Sequence, residues 1–265
     1  MQKRGEHMYP ENKPIVFKCP KDLDTVEIYP IHDLHVGNEC FDVKRYMRLK
    51  QHILSARNRY VIWVGDLLED ALCGSRSDPL KQTMAPIDQQ EFITEQFRAL
   101  KDRTIAVVDG NHEARSIRQG MYPLYNAAAI AQISERYRSA YAVVDIAVGT
   151  GADGHESRQQ RYIGFCCHKA KDLKSFGMAD FLEGFDFALF GHDHDPREHA
   201  RSHLVYNIKS QTVSFKSIET INCGAFLTYG GYGASAGYRP QSEKLYKLVL
   251  HGGRDPRIET VGFYI

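Results

Sequence analysis

Apolar and polar residues alternate in short blocks along the chain, and these blocks predict strands and helices in turn. Five apolar runs are rich in β-branched and aromatic residues, which is typical of buried strands. They are Val26–His32, Tyr60–Val64, Ile105–Val108, Tyr162–Cys167 and Phe185–Phe190. Between the first three runs, apolar side chains recur at helical spacing from Tyr46 to Leu54, after the candidate cap Asp42, and over Gln89–Leu100. This order predicts a parallel sheet with crossover helices.

The second half of the chain has strand candidates at shorter spacing. Helices are predicted over Tyr122–Tyr137 and, briefly, over Met178–Leu182. The remaining strand candidates are Ile15–Cys19, Ala140–Val148, Leu204–Ile208, Val213–Ile221, Leu245–Leu250 and Ile258–Tyr264. The whole pattern predicts an α/β fold in which two sheets pack face to face with helices outside. We expect a single domain over residues 15–265, preceded by a polar tail or edge segment over residues 1–14.

Each of the five apolar runs leads into Asp, Asn or His. The run at Ile105 is followed by Gly110-Asn111-His112-Glu113. The other four lead into Asp33-Leu34-His35, Gly65-Asp66, His168 and Gly191-His192-Asp193-His194. One such ending is typical of an ordinary turn. Five in succession indicate a functional edge, because ligands of open α/β sheets bind at the carboxyl ends of strands.

The composition is that of a globular protein and excludes some classes of function. Of the 265 residues, 43% are hydrophobic, and 34 basic residues against 33 acidic ones give a formal net charge of +1. This balance argues against a broad surface that coats nucleic acid, although a local basic cleft is compatible with it. No apolar run approaches the ~20 residues of a membrane span, and the six cysteines show no Cys-x-x-Cys spacing. We therefore expect reduced thiols, no membrane association and a cytoplasmic location. The oligomeric state stays open.

The ordered motifs Asp-x-His, Gly-Asp, Gly-Asn-His-Glu, His and Gly-His-x-His resemble those of the calcineurin-like metallophosphoesterase superfamily. The matching residues extend from Asp33 to His194. The segment from Asp33 to Gly37 is similar to the first motif of the DNA-repair exonuclease branch and of phage-borne relatives. The resemblance implies a four-layer αββα sandwich with a dinuclear metal centre that hydrolyses phosphate esters.

The resemblance also implies a set of metal ligands. Asp66 would bridge the two ions. The first ion would be held by Asp33, His35 and His194, and the second by Asn111, His168 and His192. Two dications with two carboxylates leave a positive site that favours hydroxide and an anionic ester, without choosing between diesters and monoesters. Mixed imidazole and carboxylate ligands suit Mn, Fe, Zn or Ni, and we expect Mn.

The resemblance gives His112 a role in chemistry rather than in metal binding. His112 would protonate the leaving oxygen as a general acid, and the carboxylate of Glu69 would orient it; the alternative is that Glu69 and Asp70 are merely solvated. Cations near the motifs suit phosphate oxygens, with a solvated basic face as the alternative. They are Arg115, Arg118 and Lys169. His32, beside Asp33, receives no assignment.

The substrate class is predicted to be nucleic acid, with the protein acting on DNA as a phosphodiesterase or nuclease. The glycine-rich segment Gly224–Tyr238 carries Tyr229, Tyr232 and Tyr238, which could stack on bases. Alternatively, this segment is an ordinary surface loop. Lys171 and Lys174 would add to the local basic residues that track a backbone.

Two alternative functions remain open. A phosphomonoesterase acting on a phosphoprotein or a nucleotide would also use Gly-Asn-His-Glu. However, the protein-phosphatase pattern has an Arg soon after Gly-Asp, and Gly65–Ala71 lacks it. A non-catalytic scaffold of the same fold is the third hypothesis, but all seven predicted ligands and His112 are present in this chain.

Overall fold

The structure is a computed structural model that describes residues 13–72, 75, 78–150, 159–169, 182–237 and 239–265, with the side chain of Tyr232 left out. Within these residues, two mixed six-stranded sheets pack face to face and are flanked by helices. This architecture confirms the predicted α/β fold of two sheets and helices. Nearly all of the predicted N-terminal tail, residues 1–14, lies outside the described residues.

The first sheet has the strand order β1-β6-β7-β8-β10-β9. Its strands are β1 (Ile15–Lys18), β6 (Ala142–Val148), β7 (Gln160–Cys167), β8 (Phe187–Phe190), β9 (Arg197–Asn207) and β10 (Thr212–Asn222). Strands β7, β8 and β10 run parallel to one another, whereas β9 pairs with β10 in an antiparallel hairpin. The carboxyl ends of β7, β8 and β10 therefore lie at the same rim.

The second sheet has the order β12-β11-β2-β3-β4-β5. Its strands are β2 (Thr25–Ile31), β3 (Arg59–Val64), β4 (Thr104–Val108), β5 (Tyr137–Arg138), β11 (Leu245–His251) and β12 (Ile258–Phe263). Strands β2, β3, β4 and β5 are parallel, as the alternating strand and helix pattern predicts.

The core between the sheets follows from the two-residue period of the strands. Along β3, the side chains of Tyr60, Ile62 and Val64 enter the cluster between the sheets. Val61 and Trp63 alternate with them and pack instead against the helices. The indole of Trp63 is fully buried and donates a hydrogen bond to Thr104 Oγ1 at 3.0 Å. Because both faces of β3 are covered, its sequence is a continuous apolar run from Tyr60 to Val64.

Helices cover the outer face of the second sheet. The described α-helices are α1 (Val43–Leu54), α2 (Pro86–Ala99), α3 (Glu113–Ile117), α4 (Pro123–Ile130) and α5 (Gly231–Ser235). Side chains of α1, α2 and α4 pack on this face. Asp42 caps α1 as expected, since its carboxylate accepts a hydrogen bond from the Arg45 N–H at 3.0 Å.

Two predicted elements differ from the structure. The helix predicted to reach Tyr137 ends at Ile130, because Gln132 takes a left-handed φ of 59° and Tyr137 begins β5. The strand predicted over Leu204–Ile208 is the longer β9. The part that the prediction misses is Arg197–His203, which is polar apart from Ala200 and therefore lacks the hydrophobic alternation that marks a half-buried strand.

Some expectations fall outside the described residues. The short helix predicted over Met178–Leu182 belongs almost entirely to residues 170–181. On the outer face of the first sheet, Phe165, Phe190 and Ile218 form a smaller apolar cluster. In the part of the chain that is described, no helix is both long enough and apolar enough to cross a membrane. The five described cysteines are free thiols, and Cys73 is not among them.

The two rims of the sandwich are built differently. One rim collects the carboxyl ends of the parallel strands and their polar residues. The opposite rim consists of turns, in which the Gly252 N–H donates to Asp24 O at 2.7 Å and the Gly253 N–H donates to Thr150 O at 2.7 Å. The exposed segment 254–257 follows these glycines, before β12. The candidate chemistry is therefore confined to one rim.

Candidate metal centre

The predicted ligands follow strands of both sheets and meet at one rim. Asp33 and His35 follow β2, Asp66 follows β3, and Asn111 follows β4. From the first sheet, His168 follows β7, and His192 and His194 follow β8. Hydrogen bonds join the two sets, because the His192 N–H donates to Asp33 Oδ2 at 2.8 Å and His168 Nδ1 lies 2.7 Å from Val64 O. Residues far apart in the chain thus come together across the sheets.

Three groups of side chains could each hold a cation, and two of them consist of predicted ligands alone; the third group is His35, Glu69 and His112. In the first group, Asp33 Oδ1 lies 3.5 Å from His35 Nε2 and 3.3 Å from His194 Nε2. In the second group, which also contains His192, Asp66 Oδ2 lies 3.1 Å from His168 Nε2. The two groups adjoin, since His168 Nε2 is 3.9 Å from Asp33 Oδ1. A bridging role for Asp66 stays a prediction.

Several buried polar atoms of the predicted ligands lack a hydrogen-bond partner among the described residues. They are Asp33 Oδ1, Asn111 Oδ1 and His168 Nε2. Leaving such atoms unsatisfied costs about 1–3 kcal/mol each. Carboxylate, amide and imidazole atoms are also the donors that divalent transition metals accept. The residues present therefore fit a metal centre.

The atoms that do have partners hold the others in place. Asp33 Oδ2 accepts two hydrogen bonds, one from the His192 N–H and one from His32 Nδ1 at 2.6 Å. His32 Nε2 accepts the Cys223 N–H at 2.9 Å, so the proton of His32 must be on Nδ1. His168 likewise donates from Nδ1 to Val64 O, which leaves Nε2 for a metal. His32, unassigned from the sequence, therefore orients Asp33.

The backbone of the centre is strained. Five of the seven predicted ligands have a left-handed φ, between 48° and 77°. They are Asp33, His35, Asp66, His192 and His194. Such conformations cost roughly 1–3 kcal/mol each and cluster at functional sites. The strands also approach closely: a Cβ on Gly110 would lie 2.1 Å from Asp66 Oδ1, so only glycine fits there.

Charges in the centre favour ionised carboxylates. Burial alone would raise the pKa of Asp33, but the facing His194 and His168 hold it well below its usual range. The pKa of Asp66 is lowered in the same way, chiefly by His168. Burial opposes a charge on His168, yet Asp66 and Asp33 raise its pKa to about 9. The two carboxylates are therefore available as anionic ligands at neutral pH.

His112 lies beside the first group and is held from both sides. Its Nδ1 is 2.6 Å from the main-chain oxygen of Glu69 and must donate to it. Its Nε2 is 3.0 Å from Arg115 Nη2, which can only donate, so Nε2 is an acceptor. Burial and the nearby His35 lower the pKa of His112 to about 4. The ring is neutral in this arrangement.

The carboxylate of Glu69 has a different neighbour from the one expected. Its Oε2 lies 3.2 Å from His35 Nδ1 and 3.9 Å from His112 Nδ1. Asn38 Nδ2 donates to the same oxygen at 3.0 Å. Glu69 is buried rather than solvated. The carboxylate of Glu69 therefore orients His35, and its main-chain oxygen orients His112.

The other predicted site residues lie at different distances from the centre. Of the basic residues, only Arg115 contacts His112; Arg118 is exposed at the end of α3, and Lys169 is exposed next to His168. Lys171, Lys174 and Tyr238 lie outside the described residues, as does the Tyr232 side chain. Tyr229 is exposed, and the neighbouring Thr228 N–H donates to Cys40 O at 2.8 Å. The start of the glycine-rich segment is thus packed beside the loop that follows β2.

Glu113 links two of the loops that carry ligands. Its carboxylate is fully buried and accepts the N–H groups of Asp66 at 3.0 Å, Leu68 at 3.0 Å and Gly110 at 2.7 Å. The ends of β3 and β4 are therefore held at a set separation. The sequence places Glu113 in the Gly-Asn-His-Glu motif but gives no sign that its partners are backbone groups.

Glu113→Ala is expected to destabilise the metal-free protein by about 3 kcal/mol, because it leaves three buried N–H donors without an acceptor. Relief of the repulsion between Glu113 and Asp66 offsets part of this loss. Urea unfolding monitored by circular dichroism measures the change. Glu135→Ala, at a side chain that is 67% exposed, is the control. Equal stability of the two variants would contradict the role given to Glu113.

Asp109 is a second buried carboxylate near the end of β4. It accepts a hydrogen bond from the Tyr137 hydroxyl through Oδ2, while its Oδ1 is buried without a partner. Burial, together with the nearby Glu113, raises the pKa of Asp109 to about 8. The pKa of Asp109 is thus higher in the folded protein than in the unfolded chain. Its contribution to the free energy of unfolding is therefore fully present below the unfolded-state pKa and is lost as the pH rises through about 8.

Asp109→Asn is therefore expected to stabilise the metal-free protein at pH 8 relative to wild type, by about 2–5 kcal/mol, and to change it little at pH 4. The amide oxygen can still accept from Tyr137, but the amide does not ionise. Urea unfolding at both pH values checks this, with the exposed Asp102→Asn as the control. The same difference from wild type at both pH values would show that Asp109 does not titrate in this range.

Comparisons with known proteins find similar solved structures only. No protein-family profile matches the chain, and no curated protein matches it significantly. A conserved uncharacterized protein from Streptococcus pneumoniae, described as a predicted phosphoesterase, is 14% identical, with 90% of this chain and 97% of that chain covered and a TM-score of 0.37.

Two further structures are similar at the same level. A metallophosphoesterase from Sphaerobacter thermophilus is 13% identical, with 91% of this chain and 90% of that chain covered and a TM-score of 0.38. Vps29 from Entamoeba histolytica, complexed with zinc, is also 13% identical, with 89% and 99% covered and a TM-score of 0.40. Such identities and TM-scores are too low to assign a function, which has to come from the residues of the site.

Proposed function

We propose that the protein is a metal-dependent phosphoester hydrolase whose substrates are the phosphodiesters of nucleic acid. The observation that carries this proposal is the set of buried, unsatisfied ligand atoms at one rim, among them Asp33 Oδ1, Asn111 Oδ1 and His168 Nε2. Of the three groups of side chains that could hold an ion, the two that consist of predicted ligands adjoin. Divalent ions held there would lower the pKa of a water molecule and neutralise charge on the phosphoryl oxygens.

The chain's own residues supply the remaining steps. Arg115 lies against His112 Nε2 and has donors that match phosphate oxygens. A bound anionic ester competes for this guanidinium. When Arg115 turns towards the phosphate, His112 loses a hydrogen-bond donor and a positive neighbour, so the pKa of His112 rises. His112 can then take up a proton from solvent on Nε2 and pass it to the leaving oxygen, while the Glu69 main-chain oxygen fixes the ring.

A nucleic-acid substrate is supported by cations and aromatic side chains around the rim. Arg115 lies within the centre, and Lys169 is exposed beside it. Arg239 is 78% exposed in its side chain and pairs with Asp195, the neighbour of His194, at 3.2 Å. Tyr229 presents an exposed ring. Guanidinium and ammonium groups that follow a backbone, combined with stacking rings, are typical of proteins that bind single strands.

The experiment that tests the proposal compares substrates for the Mn²⁺-loaded protein. We expect the protein to hydrolyse bis-p-nitrophenyl phosphate and either single-stranded or double-stranded DNA. We expect EDTA to abolish all of this activity. Hydrolysis of p-nitrophenyl phosphate alone would favour the phosphomonoesterase. Neither activity, with no bound metal by elemental analysis, would favour the scaffold. Parallel reactions with Fe²⁺, Zn²⁺ and Ni²⁺ test the prediction of Mn.

A further inference from the structure

The hairpin of β9 and β10 projects beyond the second sheet; we call its residues Arg197–Asn222 the arm. Each strand is 11 residues long, and the two pair along their whole length. Near its base the arm is supported, since Ile221 lies in the core between the sheets and the Thr260 hydroxyl donates to Glu219 Oε2 at 2.9 Å. Towards the tip, the same face of the arm is exposed.

That exposed face carries apolar side chains. Alternate residues of a strand lie on the same face, so Phe215 and Val213 of β10 lie on the same face of the arm as Ile221. The pairing sets Leu204 opposite Phe215 and Tyr206 opposite Val213. Ile208 follows in the turn. These five residues, the arm patch, are 60–81% exposed: Leu204 66%, Tyr206 60%, Ile208 81%, Val213 61% and Phe215 80%.

The size of the arm patch matches one half of a protein interface. Its five side chains leave on the order of 700 Å² of mostly apolar surface exposed. Monomeric proteins rarely expose a patch above roughly 600 Å². Two such patches in contact would bury about 1,400 Å², which is within the range of stable interfaces. A second copy of this chain would supply the matching surface.

The charges around the arm patch favour the same partner. Its neighbours on the same face, Ser202 and Ser217, are uncharged, whereas Arg201, His203 and Lys216 lie on the opposite face. Two copies can therefore meet by this face without opposing like charges.

We propose that the protein forms a two-fold symmetric dimer in which the arm patches of two copies pack against each other. Such an isologous contact is the commonest form of association between identical chains. The aromatic side chains of Phe215 and Tyr206 would be its anchors. This proposal is independent of the reaction at the metal centre, which lies at the base of the arm rather than at its tip.

Sedimentation velocity over the micromolar range tests the dimer. We expect wild type to sediment as a dimer, and Phe215→Asp to raise the dissociation constant by about 100-fold or more. Ser214→Asp is the matched control, because it places the same charge one residue away on the other face of the arm. Phe215→Ser, a milder change, covers the case in which Phe215→Asp does not fold. Circular dichroism reports on the fold of each variant.

Four outcomes would overturn the proposal. The first is a wild-type protein that stays monomeric. If Phe215→Asp also weakens DNA binding by this monomer, the arm binds DNA and not a second copy. The second is a dimer that survives Phe215→Asp and Phe215→Ser, which would use another surface such as the open edge of β9. The third is an assembly larger than two chains. The fourth is a dimer that Ser214→Asp weakens as much as Phe215→Asp does, because dimerisation would then not depend on the face that carries the arm patch.

Discussion

Asp66→Asn is expected to remove most of the bound metal and to reduce phosphodiesterase activity by roughly 10³-fold or more. The Asp66 carboxylate is the anion nearest to His168 Nε2, and asparagine takes away its charge while keeping its shape. The amide oxygen can still accept the His112 N–H, which Asp66 Oδ1 accepts at 2.8 Å. Elemental analysis and hydrolysis of bis-p-nitrophenyl phosphate are the two measurements.

The stability of the same variant separates a lost metal site from a damaged fold. Glu113 repels the charge of Asp66, but the attraction of His168 outweighs this repulsion and lowers the pKa of Asp66, so the metal-free variant should still fold cooperatively while being less stable than metal-free wild type. Asp102→Asn, an exposed acid in the turn Lys101–Arg103, should change neither metal content nor rate. Wild-type metal content and affinity in Asp66→Asn would exclude Asp66 from the centre.

His112→Ala is expected to keep its metal and to lose about 10²–10⁴-fold in kcat. His112 contacts the ring of His35, at 4.4 Å between centroids, and is absent from the groups of Asp33 and of Asp66, although it forms a third group with His35 and Glu69. The loss in kcat should be larger for diesters whose leaving alcohol is less acidic than p-nitrophenol, because the departure of a more basic oxygen depends more on protonation by a general acid. Steady-state kinetics on a series of leaving groups measure this slope.

A control and a contrary result complete this test. His199→Ala changes an exposed histidine beyond the centre and should leave kcat as in wild type. If His112→Ala slows all diesters equally, His112 positions the substrate and does not act as the acid. Loss of metal in this variant would instead make His112 a ligand.

The sequence predicts the parts of this molecule that depend on local patterns. The ends of β2, β3, β4, β7 and β8 can be found because each apolar run stops at a polar residue. The beginning of α1 follows from Asp42, whose side chain bonds within the same turn. The gathering of the predicted ligands follows from the parallel order of the strands, which brings their carboxyl ends to one rim.

Other parts depend on contacts between distant residues and could not be predicted in this way. The proton position on His32 depends on the Cys223 N–H, and the partners of Glu113 are backbone groups of another loop. Glu69 was expected to act on His112, but the fold puts its carboxylate nearer to His35. The strand predicted at Leu204–Ile208 misses the first part of β9, because Arg197–His203 is polar apart from Ala200 and shows no hydrophobic alternation.

The separation of the two rims has a practical consequence. The turns that join Gly252 and Gly253 to Asp24 and Thr150 lie at the end of the sandwich away from the predicted ligands. The exposed segment 254–257 beside them carries none of the contacts that shape the metal centre. A fluorescent domain, an affinity tag or new chain termini introduced there should leave the candidate metal centre intact, which offers a handle for immobilising or labelling the protein.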